Sequence, residues 1–280
     1  MLTKILKPLS LLPLPLIHKL GIGLGWLLHI TMSKAKQHAI ENITQSQLFP
    51  NQVAEAVRQS FFTLGKAILE TPYIWNSNHQ KVNRLIQNVH GWESVEAGIK
   101  ANKGIIFLTL HMGCFEITSL YYALHHPITV LYRPPKKAWL KPLVNTGRER
   151  LNITLAEANS SGVKKLIQAL KKGEAIGILP DQIPGAGEGE WVDFFGKPAY
   201  TMTLASKLAK KTGATIIMAF GERLASGKGY SLHLKKVDSI ATTTLLNQAI
   251  ETQVKQCPDQ YYWSYHRYKV SRKSKAKPPQ

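Results

Sequence analysis

The 280-residue chain has little cysteine and little acid. Its two cysteines, Cys114 and Cys257, cannot form the framework of a disulfide-stapled secreted domain. No CxxC and no Cys/His cluster has metal-ligand spacing, and the pattern fits a reducing compartment. Seventeen Asp+Glu stand against 36 Lys+Arg, a formal net charge of +19. A surface this basic points to an anionic partner: a membrane face, a phosphorylated substrate, an acidic protein or a nucleic acid. There is no G-x-S-x-G nucleophile elbow, no Walker loop and no G-x-G-x-x-G turn after a strand. These absences leave hydrolases with their own serine, P-loop enzymes and dinucleotide enzymes without a signature.

One stretch carries chemistry: Gly104-Ile-Ile-Phe-Leu-Thr-Leu-His111-Met-Gly-Cys-Phe-Glu116. An apolar run bounded by glycine reads as a buried strand. Gly113 suits a tight turn, and Glu116 falls in the first turn of a helix, where a carboxylate is electrostatically favoured. His111 then projects from the carboxyl end of a strand, where open α/β sheets bind ligands, with Glu116 near enough to orient it. A histidine beside a carboxylate can act as a base at neutral pH. Without a protein nucleophile, the hydroxyl it activates would belong to a substrate. Cys114, inside the same loop, reads as a small packing residue.

The apolar residues 9–30 approach the length of a bilayer span, but Pro13, Pro15, His18 and Lys19 interrupt them. They are expected to attach the chain to a membrane, with Trp26 at headgroup depth if the segment lies in the interface. Helical periodicity follows from Ser33 to Trp75. Residues 76–88 read as loop and short helix. Strands and helices then alternate, which predicts an α/β fold: a mainly parallel central sheet flanked by helices, behind a helical hydrophobic segment. The expected organisation is 1–32 as anchor, 33–270 as catalytic domain and 271–280 as a disordered basic tail. Ser161 is the expected cap of a helix, and the glycine-rich residues 183–190 form a loop, a gate or a plain connector. Arg133, Arg148 and Arg150 are candidate phosphate ligands, since guanidinium forks suit bidentate contacts. Asp181 ends a second buried strand, as His111 does.

These blocks carry a resemblance. Leu108-Thr-Leu-His-Met-Gly-Cys-Phe-Glu116 is similar to the H-x-x-x-x-[DE] block of the glycerolipid and lysophospholipid acyltransferase superfamily. More narrowly, the chain resembles the late acyltransferases of lipid A biosynthesis, lauroyl/myristoyl type. The matching blocks are Leu131-Tyr-Arg-Pro134, Gly147-Arg-Glu-Arg150, Leu179-Pro-Asp-Gln182, Phe194-Phe-Gly-Lys-Pro-Ala-Tyr-Thr201 and the ending Cys257 to Lys269. The resemblance implies an acyl carrier protein thioester as donor and a hydroxyl of a phosphorylated, Kdo-bearing lipid A precursor as acceptor. It implies His111 as general base with Glu116 as its partner, Arg148, Arg150 and Arg133 as anion contacts, and Asp181 as the family's third block. It also implies contact with inner-membrane lipids, a catalytic domain on the cytoplasmic side of a bacterial inner membrane, and neither metal nor organic cofactor. Ile183, where many members carry an acid, and the acidic residues Glu188 and Glu190 depart from the pattern. They bear on acyl-chain choice and acceptor more than on reaction class. The alternatives are a superfamily enzyme using a glycerophospholipid or other glycolipid acceptor, and a non-catalytic basic module. The scarcity of a basic-aromatic strand platform argues against nucleic acid.

Overall fold

The computed structural model describes residues 8–270. Lys4, Lys7 and the basic tail 271–280 lie outside the described residues. A short turn at Pro8–Leu11 leads to α1 (Leu14–Thr31), α2 (Ser33–Ser46) and α3 (Val53–Trp75). Then follow α4 (His79–Leu85), β1 (Ile86–His90), α5 (Trp92–Lys100), β2 (Ile105–Thr109), α6 (Phe115–Ala123) and β3 (Ile128–Tyr132). Next come α7 (Lys141–Arg148), β4 (Ile153–Glu157), α8 (Ser160–Lys171), β5 (Ala175–Ile178), β6 (Gly189–Phe194) and β7 (Lys197–Met202). The chain closes with α9 (Leu204–Thr212), β8 (Thr215–Arg223), β9 (Tyr230–Val237) and α10 (Thr243–Gln256).

Seven strands form one sheet in the order β1-β9-β8-β2-β5-β3-β4. Every neighbour pair is parallel except β8 with β9. Helices cover both faces, which is what an all-buried central strand requires. All five residues of β2 are buried, and they divide by parity. Ile106 and Leu108 face a core with Phe61, Leu166, Leu208 and Trp263, whereas Ile105 and Phe107 face Val95, Ile117, Leu120 and Tyr73. The expected α/β architecture is therefore present.

Local expectations needed correction at four places. Residues 86–90 form an edge strand; its exposed Gln87, Asn88 and His90 hide the apolar run that usually marks a strand. The cap of α8 is Asn159, whose side chain accepts the Gly162 amide at 3.0 Å, not Ser161. Part of the glycine-rich loop is strand: β6 pairs with β7 in a separate antiparallel hairpin. Thr201, where the sequence suggests the start of a helix running to Lys211, lies instead in β7, and α9 begins at Leu204.

The apolar N-terminal helix is neither buried nor free. Gly21 and Gly25 let α1 lie directly on α3; a Cβ at Gly21 would stand 2.6 Å from the Lys66 Cα. Ile17 and His18 are buried there. Leu20, Trp26, Leu27 and Ile30 remain about half exposed, with Trp26 at 57%. The helix is long and apolar enough to cross a membrane by length and composition, with mean hydropathy 1.2 and 28% of that window buried.

Candidate functional site

The sheet register builds the site. β2 and β5 are parallel neighbours with Leu108 opposite Ile178. Each chain continues for three residues past that pair, which brings His111 opposite Asp181 at the carboxyl edge of the sheet. There Asp181 holds His111 twice. Its Oδ1 lies 2.9 Å from the imidazole Nδ1, and its Oδ2 accepts the His111 backbone N–H at 2.9 Å. The loop carrying His111 is laced from two sides. Gly113 N–H donates to the Gln260 carbonyl, Cys114 N–H to the Gly221 carbonyl, and the His111 carbonyl accepts Tyr262 N–H. Gly113 has φ 54°, and a Cβ there would sit 2.6 Å from the Phe220 ring. Glycine meets both demands.

Asp181 is buried and its pKa lies below the ordinary value. Burial alone would raise it; the charge of His111 and the hydrogen bonds from that residue outweigh burial. An ionised Asp181 draws the proton to Nδ1, leaving Nε2 with its lone pair. The Gln182 side-chain amide, 3.2 Å from Nε2, completes that assignment by donating to it. The His111 side chain is 23% exposed and faces a cavity of about 320 Å³. Phe107, Leu120, Tyr122, Val130, Leu155 and Leu234 give that cavity an apolar interior.

No hydrogen bond joins Glu116 to His111 among the described residues. α6 turns its first-turn carboxylate toward α3 and α7, where Trp75 Nε1 donates to Oε2 at 3.1 Å and Arg148 donates from Nε at 3.0 Å and from Nη2 at 2.5 Å. Arg148 stands beside the Trp75 ring, 5.7 Å from its centroid. The Arg148 pKa is raised: burial opposes the charge, and Glu116 more than compensates. Glu116 and Arg148 thus form a neutral, hydrogen-bonded wall of the cavity next to His111. Arg150 Nη1 and Nη2 donate to the carbonyls of Trp75 and Ser77. A guanidinium at the C-terminal end of α3 satisfies helix carbonyls and the helix dipole. Arg133 is exposed at the end of β3, lines the cavity, and has no hydrogen bond to any described residue. Of the three candidate arginines, it alone keeps an uncommitted guanidinium at the cavity.

Cys114 is buried, and burial pushes its thiol well above the ordinary value, as a packing residue requires. No serine, threonine or cysteine side chain among the described residues is hydrogen-bonded to His111. The sequence does not single out two participants: Gln182 is only part of the Leu179-Pro-Asp-Gln block, and Trp75 is the end of an amphipathic helix. The nearest signal for Gln182 was its place after Asp181 at a strand end.

A profile described as bacterial lipid A biosynthesis acyltransferase matches residues 2–270. The chain is 27% identical to the lipid A biosynthesis lauroyltransferase of Escherichia coli (strain K12), covering 92% of this chain and 87% of that protein. It is 25% identical to the palmitoleoyltransferase of the same organism over the same shares, and 24% identical to its myristoyltransferase over 89% and 78%. With the profile spanning nearly the whole chain and the sheet edge already described, the protein belongs to the bacterial lipid A biosynthesis acyltransferase family.

Proposed function

We propose that the protein transfers a fatty acyl chain from an acyl carrier protein thioester to a hydroxyl of a phosphorylated lipid A precursor of the Kdo-bearing type, with His111 as general base. The observation that carries this reading is the His111–Asp181 pair at the edge of an apolar cavity, with no serine, threonine or cysteine among the described residues hydrogen-bonded to the base. The acceptor hydroxyl displaces the Gln182 amide from Nε2. Nε2 takes the hydroxyl proton as its oxygen attacks the thioester carbonyl. Asp181 stabilises the imidazolium through Nδ1–H. The tetrahedral intermediate collapses with loss of the C–S bond, and the imidazolium proton goes to the departing thiolate. Base and carboxylate end in their starting states.

Arg133 faces the anionic part of the acceptor, and Glu116 with Arg148 holds the cavity wall against Trp75. The carrier protein is acidic, so a +19 chain attracts it over long range. The exposed Leu20, Trp26, Leu27 and Ile30 of α1, with Lys19 and Lys34, suit contact with the anionic inner leaflet of the bacterial inner membrane. The catalytic domain is then cytoplasmic, where the carrier protein resides. The test is an assay of purified protein with acyl carrier protein thioesters and a phosphorylated lipid A precursor in detergent. One acyl mass is added to the precursor as free carrier thiol appears. Thiol release and acylation only with a glycerophospholipid acceptor would overturn the acceptor, and absence of turnover with every acceptor would overturn the reaction.

A further inference from the structure

Outside the lining of the cavity, α2 carries two ligand-type side chains one turn apart, His38 and Glu41. His266 reaches them from the closing segment, and the ligand atoms of the three lie within 4.8 Å of one another. His38 Nδ1 is buried and has no hydrogen-bond partner. It faces Glu41 Oε2 across 3.8 Å, too far for a hydrogen bond. Two ligand atoms on one tetrahedral ion with bonds of about 2.1 Å stand roughly 3.4 Å apart, close to that separation. The two imidazoles are stacked, with centroids 3.9 Å apart and planes 12° from parallel. An ion prefers the plane of each ring, so ligation by both turns the His266 ring. That ring is half-buried, and no side-chain hydrogen bond to it is seen among the described residues. Burial and the neighbouring His38 hold the pKa of His266 below its ordinary value. Lys197 and Lys269 are the cations that share this neighbourhood, and the Glu41 carboxylate offsets them.

We propose that His38, Glu41 and His266 form a site for a divalent ion of the Zn²⁺ class, with water completing the tetrahedron, that fastens the closing segment to α2. Two histidines and one carboxylate are a borderline-soft set suited to such ions. The surrounding chain is already organised for a fastening. Asn42, on the same helix, donates to the carbonyls of Trp263 and Tyr265, both at 2.6 Å. Tyr265 in turn accepts the Ile183 N–H on its hydroxyl at 3.0 Å. Ile183 directly follows Asp181 and Gln182, so an ion at His266 braces the loop that holds the base.

The experiment uses full-length protein without a histidine tag, stripped with chelator and titrated with Zn²⁺ against a chromophoric chelator and by thermal unfolding. One equivalent binds, and free Zn²⁺ at a hundredfold over Kd raises Tm by roughly 5 °C. His266→Gln, which retains a planar polar side chain, and His38→Ala lose that equivalent and that shift. Glu41→Gln weakens binding about tenfold, and His125→Ala with His126→Ala, in the turn after α6 and outside the cluster, changes nothing. The metal-free Tm of each variant reports its fold, and His266→Gln serves where His38→Ala does not fold. No stoichiometric uptake by the unaltered protein, or a shift retained in the folded His266→Gln variant, would overturn the site.

Discussion

Among the described residues, two buried carboxylates each hold a histidine in nearly equal geometry. His18 Nε2 lies 3.0 Å from Glu70, and His111 Nδ1 lies 2.9 Å from Asp181. Their surroundings separate them. Glu70 also receives Nε of Arg223 at 2.8 Å, its Nη2 at 2.5 Å and the Tyr230 hydroxyl at 3.1 Å. The His18 side chain is only 7% exposed, and that network ties α1 and α3 to β8 and β9. Asp181 instead spends both oxygens on His111, whose side chain keeps 23% of its surface at a cavity. The same chemical pair is a staple where an arginine and a tyrosine share the buried carboxylate, and a candidate base where the carboxylate serves the histidine alone and the ring borders a cavity. Proximity of an acid to a histidine therefore says little alone; the carboxylate's other donors and the exposure of the ring decide.

The largest difference should appear when each carboxylate is neutralised. Asp181→Asn reverses the tautomer preference of His111, and acyl transfer should fall by about 10²–10⁴-fold with Tm nearly unchanged. Glu70→Gln should do the opposite. It leaves the Arg223 guanidinium buried without its counter-charge, at a cost of roughly 3–5 kcal/mol measured by denaturant unfolding, with turnover per folded molecule preserved. Parity of the two variants in both assays would erase the contrast.

A smaller effect sharpens it in acid. The Glu70 carboxyl is held at about 2: burial would raise it, but Arg223 and His18 pull it down from 4.5. A depressed folded pKa adds stability that is fully present above the unfolded value and is lost as pH falls toward the folded one. The unaltered protein should thus lose a few kcal/mol between pH 4.5 and 2. The Glu70→Gln variant should show a flatter stability profile across that window.

The legible and illegible parts of the molecule differ for physical reasons. β2 and β5 announced themselves because parallel strands buried on both faces are continuous apolar runs, and each ended at a residue of chemical interest. What joins His111 to Asp181 is the adjacency of β2 and β5, with two other strands between them in sequence. Spacing along the chain favoured Glu116, five residues away, and the start of α6 points that carboxylate at Arg148 instead. Helical geometry alone does not say which neighbour a first-turn acid meets. β1 was missed because an edge strand with exposed polar residues lacks the apolar signature. α1 was legible as apolar, but its docking through Gly21 and Gly25 needed the partner helix in view. The proposed ion site was hidden for the same reason, since His266 joins His38 and Glu41 only after the closing segment returns to α2.

The measurement that bears most directly on His111 as the base is the turnover of His111→Ala beside that of the unaltered protein, each with its Tm and its affinity for the acyl donor. Acyl transfer reduced by about 10²–10⁴-fold, with Tm and donor affinity retained, is the predicted result. Turnover within about tenfold of the unaltered protein would contradict it.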